Sequence, residues 1–410
     1  MPQARVIMLD HTGQEGGAEL AMVRLAAELR RCEIDVQVLL FSDGPLRIRL
    51  EELGIPTRVE PLGIRTVALS RDMLGWRRAI LETGAALRFS IRIARAIRCG
   101  KADLVVANSL KAASIAAVAA PAAGRPWIWH LHDRLSDDYL PPLPLRALKI
   151  LAAVGPARIV ANSRATRETL PSRARRRSAV VYPGFRETCA APASDSSAAA
   201  VGIVGRISPT KGQLEFIEAA AQLAHRYPNL LFRVIGAPLF GEESYEHTAR
   251  ERATDLGIAD RLEFCGWVED PLEQMKSLSV LVHASPVPEP FGQVLIEAMA
   301  AGVPVVAAAS GGVMEILDPT SQSEWDAAAH LSVTDVGILV RPGDPAALAK
   351  AIATVLDDPV AATQRVQKAR SSLARFDIER TAAGVAEVWS SILPARRWFA
   401  STRSTIKTGG

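Results

Sequence analysis

Two glutamates eight positions apart, Glu289 and Glu297, and two cations five positions apart, Arg206 and Lys211, are the residues of this 410-residue chain best spaced for chemistry. The glutamates lie in the string Glu289-Pro290-Phe291-Gly292, continuing through Glu297-Ala298-Met299-Ala300-Ala301-Gly302-Val303-Pro304-Val305. Pro290 suits the first position of a helix, and Gly302 suits its stop before the next strand. Glu289 is therefore expected at a strand-to-helix turn, with Glu297 about two helical turns further on. A rise of ~1.5 Å per residue would separate them by ~12 Å, comparable to the span from a hexose to the ribose in a nucleotide-sugar. The helix start would offer free N–H groups to an anion. Arg206 and Lys211 follow a strand-like Gly202-Ile203-Val204-Gly205. Fixed cations in a dry site stabilise the charge of a departing anionic group. A single glutamate of this kind is more commonly a cap or a solvated carboxylate, so the constellation carries the argument.

Two further segments follow strands in the first half. Asp10-His11-Thr12-Gly13-Gln14-Glu15-Gly16-Gly17-Ala18-Glu19 combines two adjacent glycines with a helix start, which favours close backbone approach to phosphate. It is not Gly-x-Gly-x-x-Gly, so the dinucleotide fingerprint fails. In Trp129-His130-Leu131-His132-Asp133, strand alternation puts both histidines on one face. A metal pair there lacks a third ligand, and a core histidine is the commoner role. No Asp-x-Asp occurs anywhere, so protein cations and helix N-termini are expected to do a metal's work on the diphosphate. Cys32, Cys99, Cys189 and Cys265 have no paired spacing, which indicates neither disulfides nor a thiolate metal site and favours a reducing compartment.

The elements that must position these groups read as α/β. Short β-branched runs alternate with helical patterns, at Val6–Leu9, Val36–Phe41, Leu104–Ala107, Trp127–Leu131, Ile159–Ala161 and Ala179–Tyr182, then at Val201–Val204, Leu231–Ile235, Leu262–Cys265, Val280–His283, Val303–Ala307 and Ile338–Val340. Two doubly wound, Rossmann-like domains follow: 1–187, a linker at 188–200, and 201–378. A helix over 379–400 is expected to return to the first domain, and 401–410 to be a flexible tail. Ligands of such folds sit at the carboxyl ends of strands, here expected in a cleft between the domains. Thr320–Asp335 reads as a surface loop. No run is long and apolar enough for a membrane span, and the N-terminus lacks a signal-peptide pattern.

Residues 1–185 hold 28 Lys/Arg against 17 Asp/Glu, net +11, whereas 186–410 hold 20 against 27, net −7. The basic half favours an anionic partner. On Leu74–Arg98, Arg77, Arg88, Arg92 and Arg95 share a stripe beside Leu87, Ile91 and Ala94, as in helices that lie on anionic membranes, although a solvated face is more usual. Arg173, Arg175, Arg176 and Arg177 form a second cluster. Neither has interleaved aromatics, so nucleic acid is not an expected partner.

The string from Glu289 to Val305 resembles family 4 of the glycosyltransferases, with its Glu-x7-Glu flanked by Pro-Phe-Gly and Glu-Ala-x-Ala-x-Gly-x-Pro-Val. Arg206 and Lys211 match that family's Arg-x4-Lys, and Gly16-Gly17-Ala18-Glu19 its glycine loop. Asn162-Ser163, Tyr182-Pro183-Gly184, Gly266-Trp267-Val268 and Gly311-Gly312-Val313-Met314-Glu315 agree in order, while Pro183 stands where many relatives have Asn. The resemblance implies a GT-B fold and retaining, metal-independent transfer of a hexose from a UDP- or GDP-sugar to a glycan or lipid-linked acceptor, with no cofactor. It implies that Glu289, His132 and Asp133 approach the sugar, and that Gly16, Gly17, Arg206, Lys211, Gly266, Phe291, Gly292 and Glu297 hold the donor. Glu19, Arg88, Arg92 and Arg95 are expected on the acceptor side. Envelope or exopolysaccharide synthesis in the cytoplasm, at the inner face of the membrane, is the setting it implies. The rival readings are a sugar-nucleotide epimerase of the same fold and a non-catalytic sugar-nucleotide-binding subunit.

Overall fold

The structure, a computed structural model, describes residues 4–62, 76–186, 199–239, 241–319 and 329–393, with the backbone alone for 76–83. The chain divides into two compact units, Met1–Gly184 with Ile378–Gly410, and Phe185–Asp377. The proposed linker falls almost wholly outside the described residues, as do the tail 401–410 and the side chain of Arg77.

In the first unit, β1 (Arg5–Asp10), β2 (Asp35–Leu40), β3 (Thr57–Val59), β4 (Leu104–Ala107), β5 (Trp127–Leu131), β6 (Arg158–Ala161) and β7 (Ser178–Val180) are all parallel. Their order is β3-β2-β1-β4-β5-β6-β7. The chain works outward from β1 to β3, then returns to lay β4 on β1's other side. That reversal opens a crevice at the carboxyl ends of β1 and β4. The helices are α1 (Gly17–Arg31), α2 (Pro45–Glu52), α3 (Trp76–Cys99), α4 (Leu110–Ala122), α5 (Pro142–Val154), α6 (Arg164–Glu168) and α7 (Ser172–Arg175). Apolar faces of α3, α4 and α5 cover one side of the sheet, and α1 and α2 cover the other.

In the second unit, β8 (Ala200–Val204), β9 (Leu231–Ile235), β10 (Leu262–Gly266), β11 (Val280–His283), β12 (Val305–Ala308), β13 (Leu331–Val333) and β14 (Ile338–Val340) follow the order β10-β9-β8-β11-β12-β14-β13. Only β13 is antiparallel among these pairings. The same reversal recurs, now at β8 and β11. Helices α8 (Gln213–Ala224), α9 (Glu243–Asp255), α10 (Pro271–Lys276), α11 (Gln293–Ala301), α12 (Val313–Leu317), α13 (Pro345–Asp357) and α14 (Pro359–Ser372) complete this unit.

The next helix, α15 (Ile378–Ser390), belongs to the first unit and packs on α1. Ala382, Val385, Ala386 and Trp389 enter the same apolar cluster as Met22, Leu25 and Leu29 of α1. Trp389 is fully buried, its ring stacked 5.7 Å from that of His130, and its Nε1–H donates to His130 Nε2 at 3.3 Å.

Two short edge strands were not expected from sequence. Thr57–Val59 is three residues, too few for a period to register. Leu331–Val333 lies inside the segment read as a surface loop, whose residues 320–328 are outside the described ones. Strand β12 begins at Val305 rather than Val303, because Pro304 has no N–H to give a ladder. Trp389→Ala removes a fully buried aromatic and strands the lone pair of a buried imidazole. It should lower unfolding free energy by about 3–5 kcal/mol, read as a fall in Tm; an unchanged Tm would show that α15 is not part of the first unit's core.

Candidate active site

The second unit gathers three loops at the carboxyl ends of the adjacent strands β8, β11 and β12. The first carries Arg206 and Lys211. Buried Gln213, at the start of α8, holds it through an Nε2–H bond to Arg206 O at 3.0 Å. Gly212 has φ 81°, the left-handed region, and a Cβ there would collide with the Ala284 carbonyl. The buried Ser285 hydroxyl lies 2.6 Å from Thr210 O and 2.8 Å from Val287 O, tying this loop to the one after β11.

That tie sets Lys211 against Glu289. Lys211 Nζ donates to both carboxylate oxygens, at 2.9 and 2.8 Å. His283, the buried last residue of β11, stands 3.3 Å from Glu289 Oε2 through Nε2. A carboxylate can only accept, so Nε2 carries the proton and Nδ1 keeps a lone pair. Nδ1 is buried without a hydrogen-bond partner among the described residues. Burial works to raise the Glu289 carboxyl, but the Lys211 ammonium and then the His283 hydrogen bond outweigh it. The group stays ionised, held well below the ordinary glutamate range. Glu289 is also pinned through its backbone: Gly312 N–H donates to Glu289 O at 2.8 Å, and Gly311 pairs with Glu289 as an isolated parallel bridge. Gly311 has φ 63°, and a Cβ on Gly312 would sit 2.6 Å from Pro290 O, so side chains are excluded at both positions.

Helix α11 starts at Gln293, with Gly292 as its N-cap at φ 101°, and stops at Gly302 with φ 77°. Pro290 is thus outside the helix, which corrects the sequence expectation: the left-handed Gly292 breaks the path from Pro290 into helical geometry. Glu297 is consequently about one turn into the helix, not two, and is half-buried. The expected ~12 Å of helical rise therefore does not apply. Phe291, expected to touch the donor, has its ring in the core, 2% exposed and edge-on to Phe376 at 5.7 Å. Gly266 ends β10 at φ 68°, beside the exposed Trp267.

In the first unit, Gly16 caps α1 in extended conformation and Gly17 opens it, with Glu19 buried in the first turn. Asn108, at the end of β4, connects two expected groups. Its Nδ2–H donates to Asp10 Oδ2 at 2.8 Å, which leaves Oδ1 to accept from His132 Nε2–H at 3.0 Å. His132 Nδ1 then presents a lone pair, and neither it nor Asn162 Oδ1 has a partner among the described residues. Both residues line a small pocket with Asn108, His130, Pro183 and Thr381. Asp133 accepts from the Tyr139 hydroxyl at 2.9 Å. Asn108 and His283 were not singled out in the sequence, where their only signal was position at a strand's carboxyl end; Asn162 was noted only within the Asn162-Ser163 match.

Arg88 and Arg95 are exposed on α3, whereas Arg92 is engaged with Glu60 at 3.1 Å. Among the described residues, Asp10, His11 and Glu19 bring ligand atoms within 4.8 Å of one another. Asp10 already receives His11 N–H at 2.6 Å, Thr12 N–H at 3.3 Å and the Asn108 amide. Its Oδ1 is thus committed to the loop's own backbone and its Oδ2 to the Asn108 side chain.

Burial pushes the His132 imidazole down to about 4, with Asp10 opposing. Burial and the neighbouring His132 push His130 down to about 3. In the unfolded chain both return towards 6.5. Between those values the unfolded state binds more protons, so stability is complete above pH ~6.5 and falls as pH drops, towards about 4 for His132 and about 3 for His130. His130→Gln should flatten that slope in urea unfolding at pH 7, 6 and 5; a slope equal to the parent's would mean the imidazole is not buried neutral.

Two protein-family models match the chain: "Glycosyl transferase 4-like domain" over residues 16–184 and "Glycosyl transferases group 1" over 185–372. A D-inositol 3-phosphate glycosyltransferase of Streptomyces avermitilis is 26% identical over 422 aligned residues, covering 94% of this chain and 85% of the relative. Among solved structures, Anabaena HepE in complex with UDP and glucose is 29% identical, with a TM-score of 0.80 over 95% of this chain and all of that one. A second HepE structure, in complex with UDP-glucose, gives 0.78 at the same identity, over 94% of this chain and 99% of that one. A sucrose-phosphate synthase of Thermosynechococcus elongatus, 18% identical with a TM-score of 0.74 over 95% of this chain and 99% of that one, shares the fold. With both halves matched and the two parallel-dominated sheets shared along their whole length, the chain belongs to the family 4 glycosyltransferases of GT-B fold.

Proposed function

We propose that this transferase moves glucose, or a closely related hexose, from a UDP-sugar to an anionic acceptor, with retention of anomeric configuration and without a metal ion. The observation that carries the reading is the second unit's loop cluster, where Lys211 meets Glu289 beside a capped helix start. The choice of UDP and glucose is supported by the full-length likeness to HepE, whose structures hold UDP with glucose and UDP-glucose.

In this reading the diphosphate takes over the Lys211 ammonium, and Arg206 and the α11 N-terminus share its charge as the glycosidic bond breaks. Glu289, left with His283 as its donor, turns its freed oxygen to a sugar hydroxyl. Glu297 holds the ribose hydroxyls, and backbone near Gly266 lies by the base. His132 offers its Nδ1 lone pair to a hydroxyl proton, with Asp133 next to it in sequence. The acceptor enters from the basic first unit; the relative named for D-inositol 3-phosphate and the net +11 of residues 1–185 both favour an acceptor bearing phosphate. A lipid-linked glycan with a phosphate fits that charge equally. The absence of Asp-x-Asp supports metal independence.

Lys211→Ala is expected to lower kcat about 10²–10³-fold in protein that circular dichroism shows to be folded, with a lowered thermal midpoint because the largely buried Glu289 loses its ammonium partner. Turnover within a few-fold of the parent would remove the clamp from the mechanism. UDP-glucose should raise the melting temperature and be hydrolysed slowly in EDTA, and GDP-sugars should do neither. Binding without hydrolysis or transfer to any phosphorylated acceptor would favour a non-catalytic subunit.

A further inference from the structure

We propose that Asn162 is a positioning residue for His132, gripping its main-chain carbonyl directly and its ring Nδ1 through one bound water molecule. Asn162 follows β6, is 6% exposed, and has its backbone fixed from both sides. Its N–H donates to Leu131 O at 3.2 Å, continuing the ladder between β5 and β6. The next side chain, Ser163, caps α6 by accepting from Thr166 N–H at 2.9 Å. From this anchored position Asn162 Nδ2–H donates to His132 O at 3.2 Å. A carbonyl can only accept, so this contact fixes the amide's orientation and leaves Oδ1 as a bare acceptor.

His132 is held at its other ring nitrogen. Asn108 donates to Asp10 and accepts from His132 Nε2–H, so the imidazole keeps its lone pair on Nδ1. His132 Nδ1 and Asn162 Oδ1 are thus two acceptors buried in one pocket of the first unit, neither with a partner among the described residues. The side chains around them do not meet that need. Met22 and Val385 are apolar, Pro183 has no N–H, and the Thr381 hydroxyl donates to Tyr182 O at 2.9 Å. His130, whose Nε2 accepts from Trp389, has its proton on Nδ1 and reaches neither acceptor. The pocket leaves about 30 Å³ to the centre of a water molecule, where ~10–15 Å³ admits one. A hydroxyl brings one proton and leaves one acceptor unmet, whereas a water brings two. An ammonium or metal cation would find no carboxylate among the described lining residues to balance it. The inference deepens the transferase reading and rests on it only for turnover: there a sugar hydroxyl takes this water's place at Nδ1, and the water keeps the ring turned for it beforehand.

A high-resolution crystal structure of the full chain without ligand should show a water about 2.7–3.2 Å from both His132 Nδ1 and Asn162 Oδ1. Long-range proton–nitrogen spectra of histidine-labelled protein, assigned with His132→Gln, should show His132 neutral at pH 7, protonated on Nε2 and hydrogen-bonded at Nδ1. Asn162→Leu removes both contacts at similar side-chain size. In folded variant protein the Nδ1 signal should move to that of an unbonded acceptor, and kcat for UDP-glucose hydrolysis should fall on the order of 10–100-fold. A purely structural role would lower the thermal midpoint without moving that signal. A pocket with no water between the two atoms, a proton on Nδ1, or an unmoved Nδ1 signal or parent-like turnover in folded Asn162→Leu would each overturn the proposal. If Asn162→Leu does not fold, the parent's crystal structure and spectrum decide alone. Both are read without substrate, so their failure is distinct from failure of the transferase reading, which would show as a parent that turns over no donor.

Discussion

The ion pair of Lys211 with Glu289 is the contact around which the second unit's loops are arranged. A carboxylate largely withdrawn from water is costly unless donors surround it, and here an ammonium grips both oxygens while an imidazole N–H touches one. Meeting that demand dictates the backbone. Lys211 reaches Glu289 because Gly212 can take a left-handed turn hard against Ala284, and Glu289 stays put because Gly311 and Gly312 let a third loop lie on its carbonyl. Side chains at those glycines would push the strand ends apart and leave both charges worse served.

The pairing also explains how an anion could be received. In the structure Glu289 occupies the ammonium, so under the proposed function a diphosphate, which carries more charge than one carboxylate, would compete with Glu289 for it. The exchange is tolerable because His283 remains as a donor to Glu289, which limits the penalty of stripping Lys211 away. A single buried carboxylate with two donors of different kinds can thus give one up.

The first unit solves a different problem, that of keeping an imidazole neutral and aimed. Asp10 fixes the Asn108 amide, Asn108 fixes the His132 tautomer, and burial holds the ring well below its usual range. The second buried histidine, His130, is turned to structure by Trp389, which arrives from the far end of the chain. Strand alternation placed both histidines on one face, and only the arrival of α15 gave them separate tasks.

The sequence by itself determined the alternation of β-branched runs and helices, hence two doubly wound sheets, and it determined the residue types after strand ends, Glu289, Arg206, Lys211 and the glycines, with Glu297 on the helix that follows. These are legible because periodicity and turn chemistry are local. The two three-residue edge strands were not, since they are too short to show a period and owe their form to a neighbour's ladder. Pro290 misled because a helix-start preference is weak beside a left-handed Gly292 two residues on. For Phe291, read as a donor contact, the tertiary structure decided where the ring lies, against Phe376, 85 positions later. The partners of His283 and Asn108 were settled only by the tertiary structure. Their roles depend on which distant groups lie within about 3 Å or fail to cover them, and no local pattern encodes that.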